Sequence, residues 1–490
     1  AAAGAAAAVT ATLTAIFGFG YGSGSEGLFL ALAGPFLEAV FTALTILWII
    51  FAALAIHEYQ TRSGAIGLLG RWLAGAGKDP RIAALLVAWF FALFLEGAAG
   101  FGTPVALAAP ILVGLGFPPV RAVSLALIGH SVGVSFGAIG TPMVPLVAAS
   151  ALEPRLLSGA IMALHAGLGW MMAAWIYRLA GTGSAGTGAA GSGRGGMPLM
   201  WIGSAWAFFS VPAVAIAWLV GPELPTLGGA LLGGMAFVAL VRWKTPPEPA
   251  AGRPAARDLL VSAAPYAVIL LLVLLTRLVE PLQHWLQGLQ IEWTLAGEFG
   301  GTVALLYHPG TMLFAGLVIA GALRRGGLKQ IGPAVRDAAA RLPTVAAALV
   351  AVLLLAHLMV HAGMIDVLAL GAAGALGGAW ALAAPAAGAL GTFVTGSATA
   401  SNILLGSFQY STALAAGVSP LLIMAAQGMG AAVGNIVAPH NIVAGAATVG
   451  LIGREGEVLK RTLPAFALYI TVGGLLVFAL SLFFPLSETS

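Results

Sequence analysis

The segment LEGAAGFGTP (95–104) joins two apolar runs, 82–95 and 104–116. Each run is too short to cross a bilayer alone, because a spanning helix needs about 20 apolar residues. The run that follows, from residue 120, is itself interrupted at FGAIGTP (136–142). Interrupted backbone at membrane depth is tolerated only where protein buries it or where it lines a watery cavity, since each unpaired N–H or C=O costs several kcal/mol in lipid. These segments therefore predict a helical hairpin and a broken helix.

The same arrangement occurs a second time. Runs 379–394 and 403–416 flank TGSATASN (395–402), and the next run is interrupted at GNIVAPHN (434–441). We call 95–104 and 395–402 tip 1 and tip 2, and 136–142 and 434–441 break 1 and break 2. Interrupted segments at matching positions of two halves are the best sequence indication of a transporter's substrate site.

The composition is that of a polytopic membrane protein. Of 490 residues, 60% are hydrophobic and 8% are charged, whereas a soluble domain has about 25% charged residues. This length allows on the order of ten to twelve crossings. The composition argues against a soluble enzyme and against nucleic-acid binding, and the absence of cysteine excludes disulfides and thiol-ligated metals. The longer apolar runs lie at about 9–18, 36–57, 156–177, 199–220, 226–242, 259–279, 309–323, 343–361 and 462–484.

The placement of lysine and arginine predicts the topology. If both hairpins return to the side from which they enter, and each broken helix crosses, every Lys and Arg except Arg155 and Arg277 lies on one face, which is 19 of the 21. By the positive-inside rule that face is cytoplasmic. The first hairpin then enters from the cytoplasm and the second from outside, so the two halves are inverted repeats.

We therefore predict an all-α membrane protein of three parts. Residues 1–180 form the first repeat, with a hairpin over 82–116 and a broken helix over 120–152. Residues 181–342 are connecting spans and loops. Residues 343–490 form the second repeat, with a hairpin over 379–416 and a broken helix over 419–450.

Glu96 is the acid within the tips and breaks. An ionised carboxylate deep in a membrane is expensive, so such a group is functional by default. Burial would favour the protonated form and make Glu96 a proton carrier, whereas a helix N-terminus near Pro104 would favour the anion and make it a clamp on the amides of the tip. A carboxylate that merely caps the tip is the third interpretation.

Tip 2 carries hydroxyl and amide side chains directly before a half-helix: Thr395, Ser397, Thr399, Ser401 and Asn402. Together with free N–H groups at a helix start, they suit a small carboxylate, or a sodium ion if carbonyls point inward. The alternative is that small residues permit close packing and the hydroxyls cap the helix.

Histidines flank both breaks. His130 and His440 suit proton transfer, because an imidazole donates, accepts and protonates near neutral pH; satisfying backbone groups freed by the breaks is the alternative. His357 and His361 share a helix face, as pairs of metal ligands do. The sequence offers no third ligand nearby, so no metal site is predicted, and we expect the other histidines near the ends of spans.

FLEGAAGFGTPVALAAPILVGLGF (94–117), followed by VSFGAIGTP (134–142), closely resembles the signature of the bacterial L-lactate permease family. GPELP (221–225), TGSATASN (395–402) and AATVGLIGREGE (446–457) extend the resemblance over most of residues 46–484. The resemblance implies a proton-coupled symporter of lactate or glycolate, with re-entrant hairpins in inverted repeats and elevator movement of a transport unit against a scaffold. The family pattern often has other residues at Ala398, Asn435, His130 and His440.

The motifs and the resemblance together give the candidate site. Predicted substrate-binding residues are Gly97, Gly100, Gly102, Thr103, Gly140, Thr141, Ser397, Thr399, Ser401, Asn402, Asn435, His440 and Asn441. Predicted proton-coupling residues are Glu96, His130 and His440.

We expect a secondary active transporter that imports L-lactate, or a related small 2-hydroxymonocarboxylate such as glycolate, by proton symport. Its coupling ion would be H⁺, with Na⁺ left open, and an anion channel is the remaining alternative. No enzymatic activity, cofactor, metal or nucleic-acid partner is expected. The expected setting is the bilayer of the bacterial inner membrane, with a homodimer left open.

Overall fold

The structure, a computed structural model, describes residues 2–23, 27–75, 79–100, 102–181, 198–245, 255–324 and 326–483. Within these residues, eleven helices are long and apolar enough to cross a membrane. This number agrees with the expected ten to twelve crossings, but it includes 80–98 and 364–395, which contain an arm of each predicted hairpin. The expectation that the run 82–95 is too short to cross was therefore wrong by length, because the helix extends to 19 residues. Phe101 of tip 1 lies outside the described residues, as do Lys78, Arg194, Arg253 and Arg325 of the charge pattern.

The described elements are helical apart from one pair of strands. In chain order they are α1 (Ala2–Phe19), α2 (Gly27–Arg62), α3 (Ala65–Ala74), α4 (Pro80–Ala98), α5 (Thr103–Gly114), α6 (Pro119–His130), α7 (Met143–Ser150), α8 (Pro154–Gly181), α9 (Pro198–Leu219), α10 (Pro225–Lys244), α11 (Ala256–Leu278), α12 (Glu280–Gln287), β1 (Ile291–Leu295), β2 (Phe299–Val303), α13 (Pro309–Leu323), α14 (Gly327–His361), α15 (Met364–Leu376), α16 (Trp380–Thr395), α17 (Ala398–Ala415), α18 (Pro420–Gly434), α19 (Pro439–Thr448) and α20 (Glu455–Phe483).

One order of elements occurs twice along the chain. A long helix, a short helix, a helical pair joined by a tip, an interrupted helix and a further long helix follow one another from α2 to α8, and again from α14 to α20. Tip 1 joins α4 to α5, and break 1 separates α6 from α7. Tip 2 joins α16 to α17, and break 2 separates α18 from α19.

The interrupted helices lie in the interior. In the most apolar 18 residues of each helix, all of those in 119–140 and 89% of those in 420–448 are buried, against 17% in α14. The first arm of the first hairpin, 80–98, is also enclosed, with 94% buried. This arrangement meets the requirement that irregular backbone at membrane depth be enclosed by protein. The long helices α14 and α20 present most of their apolar surface outward, where lipid would cover it.

The long helices α2 and α14 pack antiparallel along each other. Arg62, the last residue of α2, pairs with Asp337 near the start of α14. At the other end, His361, the last residue of α14, lies 2.7 Å from Glu38 of α2. These contacts tie the beginning of one half of the chain to the beginning of the other.

The sequence analysis did not anticipate the β-hairpin of β1 and β2. The strands pair antiparallel, from Ile291 opposite Val303 to Leu295 opposite Phe299. The turn uses positive φ angles at Ala296 (55°) and Gly297 (78°), as a tight hairpin turn requires. The hairpin packs on α2, because the N–H of Gly300 donates to Oε1 of Glu38 at 3.2 Å.

Candidate functional site

Each tip packs on the break of its own half. A Cβ added to Gly100 of tip 1 would lie 3.2 Å from the Cβ of Ala138 in break 1. A Cβ added to Gly396 of tip 2 would lie 3.0 Å from the Cβ of His440 in break 2. A larger residue at either glycine would therefore push the tip away from its break. Gly100 and Gly396 also have positive φ angles, of 58° and 77°, which side chains other than glycine rarely adopt.

Two further contacts cross between the halves. Asn402 of tip 2 donates its Nδ2 hydrogen to the carbonyl oxygen of Pro142 in break 1 at 2.8 Å. Asn441 of break 2 has its Oδ1 4.0 Å from the position of a Cβ on Gly102 of tip 1. With the contacts inside each half, tip 1, break 1, tip 2 and break 2 close a ring, so this site is assembled from residues about 300 positions apart in the chain.

Three helix N-termini converge at this ring. Helix α5 begins directly after Gly102, and α19 begins directly before His440 and Asn441, so the Gly102–Asn441 approach brings their starts together. The Gly396–His440 contact brings the start of α17 to the same place. Each helix N-terminus carries about half a positive charge and free N–H groups. Their convergence favours an anion without any basic side chain.

Break 1 holds its backbone in an unusual conformation. Ala138, Ile139 and Gly140 have consecutive positive φ angles of 43°, 52° and 77°. A β-branched residue such as isoleucine is a genuine outlier there, and such strain persists only where the surroundings enforce it. Thr141 donates to the carbonyl of Ala138 at 2.7 Å, which helps to fix the turn. The carbonyl oxygen of Pro222, outside break 1, packs against the turn, because it lies 2.6 Å from the position of a Cβ on Gly140.

Glu96 and His130 face each other inside the protein. The distance from Oε2 of Glu96 to Nε2 of His130 is 3.9 Å, and both side chains are less than 8% exposed. Nδ1 of His130 lies 2.7 Å from the carbonyl of Ala126, and because a carbonyl only accepts, this nitrogen carries the hydrogen. In the neutral imidazole the lone pair is then on Nε2, the nitrogen that lies 3.9 Å from the carboxyl group. Nothing in the spacing of Glu96 and His130 predicted this pairing.

The other carboxyl oxygen of Glu96 lies against glycines. A Cβ on Gly100 would be 3.4 Å from Oε1, and a Cβ on Gly137 of break 1 would overlap it. Gly137 therefore makes room for the carboxyl group between tip 1 and break 1. Gly97, by contrast, faces away, because its missing Cβ would lie 2.5 Å from the backbone nitrogen of Leu227. Thr103 donates to the carbonyl of Gly100 at 2.8 Å and closes tip 1.

Four of the five predicted polar residues of tip 2 are engaged in hydrogen bonds within the protein, namely Thr395, Ser397, Ser401 and Asn402. Ser401 donates to the carbonyl of Gly388 at 2.7 Å. Gln427 of α18 donates to Ser401 and to Oδ1 of Asn402, both at 3.2 Å. Gln409 in turn donates to Oε1 of Gln427 at 3.0 Å. These bonds hold α17 against α16 and α18, and the sequence analysis did not single out either glutamine.

The accessible part of the ring is formed mainly by tip 2 and break 2, with the half-buried Gly102 of tip 1. Thr395 and Ser397 are partly exposed and His440 is exposed, whereas Thr399 is buried. Ser397 caps α17, since its Oγ accepts from the N–H of Ala400 at 3.4 Å. An incoming small molecule would therefore meet the start of α17 and the imidazole of His440 first.

Break 2 contains a buried donor that lacks a partner. Asn441 donates its Nδ2 hydrogen to Oδ1 of Asn435. Nδ2 of Asn435 has no hydrogen-bond partner among the described residues, and Asn435 is only 8% exposed. A buried donor left unsatisfied costs about 1–3 kcal/mol. This amide therefore suits an acceptor that arrives with a ligand.

A second histidine network lies beside the ring. The sequence analysis expected the remaining histidines near the ends of spans, and this was wrong for His165, which is fully enclosed in the middle of α8. Its Nε2 lies 2.9 Å from Oγ of Ser135, and its Nδ1 lies 2.9 Å from the hydroxyl of Tyr469. Ser135 donates onward to the carbonyl of Gly428 at 3.0 Å. This chain links α8 and α20 to the segment preceding break 1 and to α18.

One of the two basic residues outside the predicted charge pattern is neutralised. Arg277 is buried, and its Nη2 lies 2.7 Å from Glu223 of the GPELP segment. Its guanidinium also stacks 3.5 Å from the ring centre of Tyr307. The ion pair and the aromatic face together compensate the cost of burying this charge.

The prediction that His357 and His361 have no third ligand nearby was wrong. Glu38, more than 300 positions away in the chain, lies beside both imidazoles. The sequence could not show this, because the residue comes from the antiparallel partner helix α2. Glu38, His357 and His361 lie outside the tips and breaks.

Comparisons with known proteins agree with this architecture. The sequence model of the family described as L-lactate permease matches residues 29–300 and 295–484. An L-lactate permease of Streptococcus iniae is 32% identical over 391 residues, which cover 78% of this chain and 80% of that protein. The glycolate permease GlcA of Escherichia coli is 26% identical, with 88% of this chain and 83% of that protein covered.

A solved structure has a similar fold. The YdaH transporter of Alcanivorax borkumensis superposes with a TM-score of 0.56 at 17% identity, covering 99% of this chain and 100% of that one. At this identity the likeness concerns the fold alone. The permease relatives and the eleven apolar helices identify a transporter, not an enzyme, and a multi-pass protein of the bacterial plasma membrane. With nearly its whole length matched by the family's sequence model, the chain belongs to the L-lactate permease family.

Proposed function

We propose that this chain imports L-lactate, or a related small 2-hydroxymonocarboxylate such as glycolate, by proton symport. The observation that carries the proposal is the convergence of the N-termini of α5, α17 and α19 at a ring that also contains the unpartnered amide of Asn435. The names of the relatives supply the substrate class, since they are lactate and glycolate permeases.

The charge balance of the ring supports one carboxylate rather than two. Tips and breaks contain no lysine or arginine. The helix starts and a few charge-assisted hydrogen bonds, at roughly 1.5–3 kcal/mol each, offset the burial of one negative charge. A second carboxylate would remain unpaired at a cost of several kcal/mol. The hydroxyl of a 2-hydroxy acid would find partners in Ser397 or His440 at the accessible side of the ring.

Proton coupling is assigned to the pair of Glu96 and His130. A carboxyl group enclosed at 5% exposure is stable there mainly in its neutral form, because desolvation penalises the anion. The lone pair of His130 offers the proton a second position 3.9 Å away. Because Gly100 lies beside the carboxyl group of Glu96 and in the tip that leads into α5, movement of tip 1 on substrate binding would change the surroundings of that carboxyl group.

The transport movement is proposed to be of the elevator type. In this proposal the two halves are inverted repeats, the tips and breaks form the mobile transport unit, and the long helices α2 and α14 belong to the scaffold. The charge distribution supports the inversion, and the enclosed position of the interrupted helices supports their movement as a unit. Assembly as a homodimer stays a prediction.

The test is uptake into proteoliposomes that contain the purified protein. We expect radiolabelled L-lactate or glycolate to accumulate when the inside is alkaline, and unlabelled lactate inside to drive counterflow without any gradient. Malate and succinate should not compete. Accumulation driven only by a Na⁺ gradient would show that the coupling ion is sodium and not the proton. Conduction without counterflow would indicate a channel. Equal competition by succinate would mean that the substrate site lies elsewhere.

A further inference from the structure

Glu38, His357 and His361 form a compact group at one end of the α2–α14 pair. Their three nearest ligand atoms all lie within 4.8 Å of one another. Oε2 of Glu38 is 2.7 Å from Nε2 of His361 and 3.3 Å from Nδ1 of His357. The two histidines are four residues apart on α14, so they project from the same face of the helix.

The carboxylate of this group is held in position from behind. Its second oxygen, Oε1, accepts the N–H of Gly300 in β2 at 3.2 Å, which leaves Oε2 directed at the histidines. Phe299 packs against His361 with ring centres 5.0 Å apart. Fixed outer partners that orient the ligands are characteristic of metal sites. The side chains of His357 and His361 are 29% and 27% exposed, so an ion can reach them.

We propose that Glu38, His357 and His361 bind a divalent transition-metal ion, with Zn²⁺ as the preferred ion. Two imidazoles and one carboxylate are ligands that Zn²⁺ accepts at about 2.0–2.2 Å, with water in the fourth position, which sets tetrahedral ligand atoms about 3.3 Å apart. The Glu38–His357 separation already has this value. Small rotations of the partly exposed imidazoles bring the other separations to it.

The ion would join three elements that are distant in the sequence: α2, α14 and, through Gly300, the β-hairpin. By the charge pattern, this end of α2 and α14 lies outside the cytoplasm, since Arg62 and Arg341 lie at the other end. The expected role is to fasten the scaffold at its outer end. This inference does not depend on the nature of the transported substrate.

Calorimetric titration of the purified full chain with ZnCl₂, after removal of any histidine tag, tests the proposal. We expect about one Zn²⁺ per chain and a rise in the thermal unfolding midpoint. Glu38→Gln, His357→Gln and His361→Gln should each weaken binding at least tenfold, which corresponds to about 1.4 kcal/mol. His284→Gln is the matched control, because His284 is exposed on α12 and outside the group.

His357→Gln decides the question if Glu38→Gln fails to fold. It removes one ligand and leaves the bond between Glu38 and His361 in place. Equal Zn²⁺ binding in the wild type and in His357→Gln would overturn the proposal, as would a wild type that binds no stoichiometric Zn²⁺. A loss of binding in His284→Gln equal to that in His357→Gln would show adsorption to surface histidines and would overturn it too.

Discussion

The two halves of the ring have the same helical plan but different chemistry. In the first half, tip 1 and break 1 enclose a carboxyl group and an imidazole, Glu96 and His130, among glycines and apolar residues. In the second half, tip 2 is held by neutral amides and hydroxyls, with Gln427 bonded to Ser401 and Asn402.

Under the proposed function, this difference would place the coupling ion in one half and the substrate in the other. A single enclosed acid is costly unless it can take up a proton, so the first half is suited to the coupling ion. Neutral donors cost little free energy to bury when they are hydrogen-bonded, and they can exchange a protein acceptor for an anion. The second half is therefore suited to the substrate. Contacts between the halves, such as that of Asn402 with Pro142, would couple proton uptake in the first half to substrate binding in the second.

The largest expected effect concerns the opposite orientation of the two halves. Gly116 and Gly417 follow the two hairpins, are exposed, and have positive φ angles of 90° and 66°. A Cβ at either position meets nothing within 4 Å, and the strain of a side chain at positive φ is common to both, so Gly116→Cys and Gly417→Cys are matched variants of a chain without cysteine. An impermeant maleimide should label residue 116 only from the cytoplasmic side and residue 417 only from outside. Labelling of both from one side would contradict the inverted arrangement.

The next effect separates coupling from binding. Glu96→Gln keeps the shape of the side chain but cannot exchange a proton, so accumulation driven by a pH gradient should fall to the level of empty liposomes. Counterflow needs no net proton movement and should stay within about twofold of the wild type, since it tests binding and movement alone. Glu298→Gln, which changes an exposed acid of the β-turn, is the control. Normal pH-driven accumulation in Glu96→Gln would remove this residue from coupling.

A third effect tests the substrate side of the comparison. Asn435→Asp keeps the oxygen that accepts from Asn441 but replaces the unpartnered amide by a carboxylate oxygen. If that amide binds the substrate, the apparent KM for lactate should rise about tenfold to a hundredfold, because a charge-assisted bond of roughly 1.5–3 kcal/mol is lost. The measurement is initial counterflow rate against substrate concentration, with exposed Gln290→Glu as the control for added charge. An unchanged KM would place the substrate away from break 2.

Sequence reasoning could predict those parts of the molecule that local patterns determine. The positions of the tips and breaks follow from apolar runs that end at glycine, proline and small polar residues. Helix lengths follow less well, because α2 (Gly27–Arg62) and α14 (Gly327–His361) extend far beyond the runs 36–57 and 343–361. The membrane environment makes such patterns informative, because an interruption in a span must be enclosed. Ser401 was predicted to bind substrate, with helix capping as the alternative, and its bonds to Gly388 and Gln427 were not predicted.

The pairings that escaped prediction all join distant parts of the chain. Glu96 lies beside His130, which belongs to a different helix of the same half. Glu38 lies beside His361, more than 300 positions away in the chain. Such contacts depend on helix packing, and neither composition nor spacing specifies which helix faces which. The β-hairpin was missed for another reason: strands of five residues carry too little periodicity to stand out between apolar helices.

The smallest expected effect separates structural amides from substrate-binding amides in the second half. Gln427→Met keeps the side-chain volume but leaves Ser401, Asn402 and Gln409 each without one bond. Unsatisfied buried groups cost about 1–3 kcal/mol each, although small rearrangements and the bonds that these residues retain will recover part of this. We therefore expect a lower unfolding midpoint in detergent but a KM within about twofold of the wild type, the reverse of Asn435→Asp. Exposed Gln290→Met is the matched control. A raised KM with an unchanged unfolding midpoint would show instead that Gln427 contacts the substrate. The assignment of Gln427 as structural, in contrast to Asn435 as substrate-binding, would then be wrong.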